Sequence, residues 1–332
     1  MNEKISDILD AMRGRRIVVV GDMIADVYLT GRIARISREA PVLVLEHQEE
    51  RIVAGGASNV VHNVATLGGK ASAVGVVGDD QAAAGLREIL SERGVELSGL
   101  VTDAARPTTA KTRVIAGGRA TVSQQIVRID KEDRSPLSPA VFSQVRKRAL
   151  AAVQTAEGVV LSDYGGAVLP EDLARDILED CKSRGIPTIV DSRYAIRRFT
   201  GASYVKQNDA ELADAMNQPF LDEESLCTAG ERLRAELSAK GVLVTRGEKG
   251  MTLCLEGGRA VHVPVVDKSE VFDVSGAGDT CVAAFILVIA AGASPEDAAR
   301  LSNVASGVAV RKLGTATVSA EELRAAAAKQ LK

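Results

Sequence analysis

Gly158-Val-Val-Leu-Ser162, Pro170-Glu-Asp-Leu-Ala-Arg-Asp-Ile-Leu-Glu-Asp-Cys-Lys-Ser-Arg184-Gly185 and Pro187-Thr-Ile-Val-Asp191 are the stretch on which the fold turns. A short apolar run, a helical pattern closed by glycine and a second apolar run follow one another. Two such strands joined by a helix pair in parallel. The same rhythm recurs on either side. Arg16 to Gly21 reads as a buried strand, Ser58 to Leu67 as a helix closed by Gly68-Gly69, and Ala71 to Val77 as a strand. Asp80 to Arg93 reads as a helix stopped by Gly94, and Ser138-Pro139 opens another. Glu223 to Lys240 and Val242 to Thr245 repeat helix then strand, and Glu321 to Lys329 closes the chain as a helix. The expected fold class is α/β, a mainly parallel sheet covered by helices on both faces.

Two stretches break the alternation. Val27 to Ile52 and Thr108 to Asp130 lack helical periodicity and are rich in Val, Ile, Thr and Arg. They are expected to form extra strands outside the main sheet, a small β lid inserted into a single domain that spans residues 1–332. Such a detached sheet has open edges and a face to bury, and a second copy of the lid can cover them, so a homodimer is expected.

The 332 residues are 46% apolar and 26% charged, with net charge −3. That excludes a disordered chain and argues against a nucleic-acid binder, which carries a basic face. The four cysteines (Cys181, Cys227, Cys254, Cys281) form no C-x-x-C pair, so structural zinc is not expected and reduced thiols are. No apolar run is long enough for a membrane span, and the first residues lack a signal-peptide pattern, which points to the cytoplasm.

The strongest chemical motif is Asp273-Val-Ser275-Gly276-Ala277-Gly278-Asp279-Thr280, followed by a long apolar helix. Small residues at a helix start let a ligand reach the backbone, and the free N–H groups favour an anion. Asp279 then lies where it can take a proton from an attacking hydroxyl. Taken alone, it equally fits an Asp that caps a helix after a glycine turn. No Walker loop is present, and Cys281 stands where a dinucleotide fingerprint needs its third glycine. Weaker signals lie after other strands. They are Asp26 beyond Gly21, the Gly55-Gly56 pair with Asn59, Asn208 with Glu211, and the Thr245-Arg246-Gly247-Glu248 loop. Each alone also suits a plain turn or cap.

In this order the motifs resemble the ribokinase-like (phosphofructokinase-B type) sugar kinases over nearly the whole chain. Within them the sequence is most similar to the D-glycero-β-D-manno-heptose 7-phosphate kinases. That likeness rests on Gly21-Asp22 with Asp26 and Tyr28, Arg35-Ile36-Ser37 with Glu39-Ala40-Pro41-Val42, and Glu49-Glu50-Arg51. It continues through Pro107-Thr108-Thr109 with Lys111 and Arg113, Gln124-Gln125 with Arg128 and Asp130, and Ser162-Asp163-Tyr164, and closes at Lys312 to Ser319. The chain departs from those kinases at Arg38, where they have Pro, and at Gly166-Ala167, where they have Lys-Gly. It departs again at Asp191-Ser192-Arg193 for their D-P-K and at Lys206-Gln207-Asn208 for their T-P-N. No H-x-G-H signature of a fused nucleotidyltransferase occurs, so the single-function form is expected.

The resemblance implies a three-layer αβα fold and an ATP-dependent transfer to a sugar hydroxyl, O1 of the heptose 7-phosphate. It makes Asp279 the base and gives the phosphoryl group the N–H groups of Gly276, Ala277 and Gly278. It implies ATP and Mg2+, with Asn208 and Glu211 organising Mg2+ through water. Thr245, Arg246, Gly247, Glu248, Asn303, Lys312 and Gly314 match the nucleotide edge. Asp273 and Ser275 match positions that hold a monovalent cation, K+, in some relatives. Asp26, Gly55, Gly56, Asn59 and Asp163 would grip the sugar, and Lys111, Arg113 or Arg128 a remote phosphate on it. The rival readings are a kinase for another sugar and a silent sugar- or nucleotide-binding regulator on the same fold.

Overall fold

The computed structural model describes residues 3–117, 123–220, 222–265 and 271–331. The chain opens with α1 (Glu3–Ala11) and β1 (Arg16–Gly21), then runs out along β2 (Met23–Ile36) and back along β3 (Leu43–Gly56). The elements α2 (Ala57–Thr66), β4 (Lys70–Val77), α3 (Gln81–Ser91) and β5 (Glu96–Thr102) follow. A second excursion, β6 (Thr109–Gly117) and β7 (Gln124–Lys131), precedes α4 (Pro139–Val153). Next come β8 (Gly158–Asp163), α5 (Glu171–Ser183), β9 (Thr188–Ser192), β10 (Tyr204–Asn208), α6 (Asp209–Met216) and α7 (Glu223–Glu236). The chain ends through β11 (Gly241–Thr245), β12 (Met251–Leu255), β13 (Arg259–Val263), α8 (Ala277–Ala290), α9 (Pro295–Ala309) and α10 (Ala320–Gln330).

Among the described residues nine strands form one sheet in the order β13-β12-β11-β10-β9-β8-β1-β4-β5. All neighbours are parallel except the β11-β12 and β12-β13 pairs. The apolar run of β1 is buried from Ile17 to Gly21 because both faces are covered. Alternate residues serve opposite layers. Ile17 and Val19 pack with Val60, Val282 and Phe285 of α2 and α8. Val18 and Val20 pack with Val145, Leu173 and Ile177 of α4 and α5. The three-layer arrangement expected from the sequence is thus present. The antiparallel edge and β5 are additions that the sequence reading did not assign. Among the described residues no helix is long and apolar enough to cross a membrane.

The two irregular stretches do form a separate four-stranded sheet, ordered β3-β2-β6-β7. Its strands begin earlier than expected, at Met23 rather than Val27, and β3 runs on to Gly56. The sequence places Gly21 to Asp26 at the end of the first strand; in the structure Met23-Ile24-Ala25 already belong to the lid, buried and paired directly with Ala54 to Gly56. The root of this lid packs Ala25, Val27, Ala54 and Ala110 against Leu86 of α3. Farther out the lid is open. Every residue of β7 is exposed, including Ile126, Val127 and Ile129.

Candidate active site

The site lies where the carboxyl ends of β1, β8, β9 and β10 meet the first turn of α8. Gly276 caps that helix in the left-handed region, at φ +78°. A Cβ there would stand 2.6 Å from Asn59 Nδ2. Glycine is therefore required twice over, by conformation and by space. The next residues, Ala277 and Gly278, start the helix, and the N–H groups of Gly278 and Asp279 find no acceptor among the described residues. A helix start with unpaired N–H groups is an anion site.

Asp279 is buried in this first turn. Asn59 Nδ2 donates to its Oδ2 at 2.8 Å, and the Tyr164 hydroxyl donates to its Oδ1 at 2.9 Å. Behind Asn59 stands Asn63, which donates to Asn59 Oδ1 at 3.0 Å and accepts from Thr280 Oγ1 and from Val318 N. Burial pushes the Asp279 carboxyl up to about 7; the bonds from Asn59 and Tyr164 oppose that rise, and the Asp191 charge adds to it. A carboxyl poised near neutral pH is suited to take a proton and release it again. Burial together with the Asp279 charge holds the Tyr164 phenol well above its ordinary range, so it remains a donor.

Tyr164 owes its position to Asp22. One carboxylate oxygen of Asp22 accepts from Tyr164 N at 2.7 Å and Gly166 N at 3.0 Å. Burial pushes the Asp22 carboxyl up to about 6 against those two bonds. Asp163 grips the same loop, accepting from Gly165 N and from Ser192 Oγ. One of its oxygens holds the loop and the other ties it to β9; the sequence suggested a sugar contact for this residue. A cavity of about 560 Å³ lies beside this loop, lined by Asp163, Gly165, Tyr194 and Arg198 among others, but Asp279 and Asn59 do not line it.

The root of the lid faces this centre. Parallel pairing sets Asp26 beside Lys111 and Tyr28 beside Arg113. Asp26 is buried, accepting from Arg113 Nη1 at 2.6 Å and from Thr315 Oγ1 at 2.8 Å. Gly55 lies so close that a Cβ would stand 2.7 Å from Asp26 Oδ2. Gly56 caps α2, the helix that carries Asn59. The three lid cations part company here. Arg113 is tied to Asp26 and stacks over Tyr28. Arg128 is bound through two hydrogen bonds to Asp130. Lys111 has no carboxylate within ion-pair distance among the described residues and sits 5.2 Å from the Tyr164 ring. Burial draws its ammonium below the ordinary value, against the pull of Asp26 and Asp130. Arg113 is therefore an internal clamp, and Lys111 is the lid cation left open to a ligand.

On the opposite side, Asn208 and Glu211 form a reciprocal capping box that starts α6. Lys206, two residues earlier, is buried; its ammonium lies 3.1 Å from Asp191 and 3.9 Å from Glu211. Among the described residues no group of three His, Cys, Asp or Glu side chains gathers to hold a metal directly. One carboxylate beside an anion cradle fits Mg2+, which keeps most of its water and binds through phosphates and few protein groups.

The rest of the expected nucleotide edge is only partly free. Arg246 is held by Glu223 and by Thr252 Oγ1, while Glu248 is exposed at the loop tip after Thr245 and Gly247. Asn303 donates to the Pro264 carbonyl at 2.9 Å. Lys312 is bonded to Thr317 O and to Glu322, so it anchors its loop to α10. Asp273 accepts from Ser275 N at 2.8 Å and from Gly314 N at 3.1 Å, and so links the start of the cradle to that loop.

The sequence reading placed Asp279 and the cradle glycines together, and the structure does so. Asn59, expected on the sugar, donates to Asp279 and so orients it. Tyr164, Asn63 and Asp22 carried no assigned role, and Lys206 and Asp191 were noted only as departures. For Asp22, Tyr164, Asp191 and Lys206 the available signal was a polar residue in or just after an apolar strand; Asn63 lies inside α2 and carried none.

A family model described as pfkB family carbohydrate kinase matches residues 15–323. The Bifunctional protein HldE of Azorhizobium caulinodans is 45% identical over 312 residues, covering 93% of this chain and 64% of that protein. Its counterpart in Geobacter sulfurreducens is 41% identical over 309 residues, 92% of this chain and 61% of that protein. The chain spans less than two thirds of the length of these relatives. Escherichia coli phosphofructokinase-2 in complex with substrates and products superposes with TM-score 0.78 at 21% identity, covering 96% of this chain and 100% of that one. Arabidopsis thaliana ribokinase complexed with ribose and ATP gives TM-score 0.72 at 21% identity, covering 95% and 98%. At such identities the likeness establishes the fold, which is ribokinase-like. Together with the family match and the HldE relatives, it makes the chain a member of the pfkB family of carbohydrate kinases, a phosphotransferase with an alcohol acceptor.

Proposed function

We propose that the protein transfers the γ-phosphoryl group of ATP to O1 of D-glycero-β-D-manno-heptose 7-phosphate, and that it does so in the cytoplasm. Asp279 removes the acceptor proton as that oxygen bonds to phosphorus and the bond to the bridging oxygen breaks, releasing ADP. The N–H groups of Gly278 and Asp279 face the charge that builds on the phosphoryl oxygens. Asn208 and Glu211 would hold Mg2+ through water, and the ion would there offset phosphate charge. Asn59 and Tyr164 keep Asp279 aimed. Asp26, with Gly55 and Gly56, shapes the floor of the sugar site, and Lys111 receives the remote phosphate, with Arg128 near it on β7. Thr245 to Glu248, Asn303 and Gly314 border the nucleotide. Asp273 and Ser275 remain the residues to hold K+ where it is used.

The kinase chemistry rests on the buried Asp279 beside unpaired helix N–H groups. The sugar phosphate rests on Lys111, a half-buried ammonium with no carboxylate at ion-pair distance among the described residues, next to the Tyr164-Asp279 pair. The HldE relatives support a heptose as the sugar. A panel of hexoses, pentoses, their phosphates and the heptose 7-phosphate, read by ATP consumption, tests this. The heptose 7-phosphate should give the highest kcat/KM. A better unphosphorylated sugar would overturn the reading.

A further inference from the structure

Lys206 is a buried charge that the chemistry above does not use. It comes from β10, and only 7% of its side chain is exposed. Burial works against its charge, yet Asp191 and Glu211 outweigh that and hold the ammonium above its ordinary value. An ion pair this deep is a poor way to stabilise a fold, since taking both charges out of water offsets most of their attraction. Its placement is specific in another respect. A Cβ on Gly278 would stand 3.1 Å from Lys206 Nζ. The ammonium therefore lies against the side of the anion cradle, at the residue whose missing side chain leaves the approach open. Two carboxylates alone would explain why Lys206 is charged. They do not explain why the charge is turned toward the cradle.

We propose that Lys206 is a catalytic residue whose ammonium contacts the γ-phosphoryl group lying at the N-terminus of α8. In the reaction the acceptor oxygen bonds to phosphorus, the bond to the bridging oxygen of ADP breaks, and the acceptor proton passes to Asp279. Lys206 stays protonated throughout and donates to a phosphoryl oxygen. Asp191 and Glu211 hold it in place, and the cation matches the charge carried by the moving group. The proposal rests on the phosphotransferase activity and not on which sugar is used.

The test compares two nucleotides without any sugar present, so the outcome is independent of the heptose reading. Affinities for Mg·ADP and for the non-hydrolysable Mg·β,γ-methylene-ATP are measured by calorimetry on the intact chain and on Lys206→Thr. Loss of about tenfold or more for the triphosphate analogue is expected, the size of one charge-assisted contact, with Mg·ADP changing less than twofold. Equal losses for both nucleotides would show that Lys206 only shapes the site, and no loss for either would show that it does not reach the phosphoryl group. Either result overturns the proposal. If Lys206→Thr does not fold, the pair Asp191→Asn with Lys206→Gln removes cation and counter-ion together while keeping a hydrogen bond. The same selective loss is expected of it, and the same two outcomes refute.

Discussion

The first turn of α8 and the root of the lid face each other across one site, but they are built differently. At α8 each carboxylate oxygen of Asp279 has a protein partner, and those partners are fixed in turn by Asn63 and Asp22. At the lid root Asp26 is spent on Arg113, the outer strand β7 is exposed to solvent, and Lys111 has no carboxylate within ion-pair distance among the described residues. The difference matches two tasks. Phosphoryl transfer depends on positioning, so its groups are locked by packing and hydrogen bonds. Choice of sugar depends on surfaces that can be rebuilt without touching that chemistry, and a small sheet hung on α3 allows this. Changes at the α8 end should therefore reduce turnover for any sugar, while changes in the lid should alter KM for particular ones.

The sharpest way to break this comparison is Asp279→Asn. Turnover should fall by ~10²–10⁴, the usual worth of a general base, with nucleotide affinity little changed. Near-normal turnover would remove Asp279 from its role. The same variant should be more stable than the parent at pH 8. The folded-state carboxyl is raised to about 7 by burial, so its ionised form opposes folding above that pH and not below the unfolded value. The gain in Tm should shrink as pH falls from 8 toward 4. A gain that grows on acidification would contradict the assigned shift.

Tyr164→Phe tests the positioning shell. Its hydrogen bond lowers the Asp279 pKa, so removing it should move the acid limb of the kcat/KM profile to higher pH. A loss of ~10-fold in turnover at pH 7 is expected, since a bond to a charged group contributes ~1.5–3 kcal/mol. An unmoved acid limb would mean that Tyr164 does not act through Asp279.

How far this could be read beforehand follows from chain distance. Gly276 to Asp279 is a local pattern, and its small residues and following apolar helix exposed the anion site directly. Most of the helices were readable for the same reason, through Ser138-Pro139 or Gly185, although α1, α6 and α9 were not assigned. Tyr164, Asp22 and Asn63 were not, because Tyr164 reaches Asp279 from a distant part of the chain, and Asp22 and Asn63 act on it only through Tyr164 and Asn59. Only the β1-β8 register brings Asp22 next to the loop after Ser162. The lid cations were found, but their division was not. Lys111, Arg113 and Arg128 look alike in sequence; the parallel register of β2 with β6 sets Lys111 directly beside Asp26, yet Arg113, two residues on, makes the ion pair, which only side-chain reach in the folded chain decides. The β12 and β13 strands were missed because five-residue strands at the sheet edge carry little periodicity.

Lys111→Met should raise KM for a phosphorylated sugar by about 10-fold while the ATP KM stays nearly constant. Arg128→Met should have a smaller effect, because that guanidinium is already bound to Asp130. The reverse ranking would mean that the free cation is not the one the phosphate meets.

The smallest effect on chemistry, and the most direct on the lid, is expected at its outer edge. Ile36 and Val42 are more than half exposed, as is Ile129, and β7 has one side of its backbone unpaired in the four-stranded sheet. Apolar residues and an open strand edge together invite another β surface. The same lid on a second subunit is complementary by symmetry, and closed two-fold pairing satisfies both copies at once. Light scattering at micromolar concentration should then give twice the chain mass. Val42→Lys with Val44→Lys places like charges across the two-fold contact and should return the mass to that of the single chain, 34.8 kDa. The active centre is left in place, since neither residue approaches Asp279, so kcat should change by less than about threefold even as the dimer dissociates. A parent protein that scatters as 34.8 kDa would show that the lid folds over its own site alone, and would make its exposed edge a feature of sugar capture only.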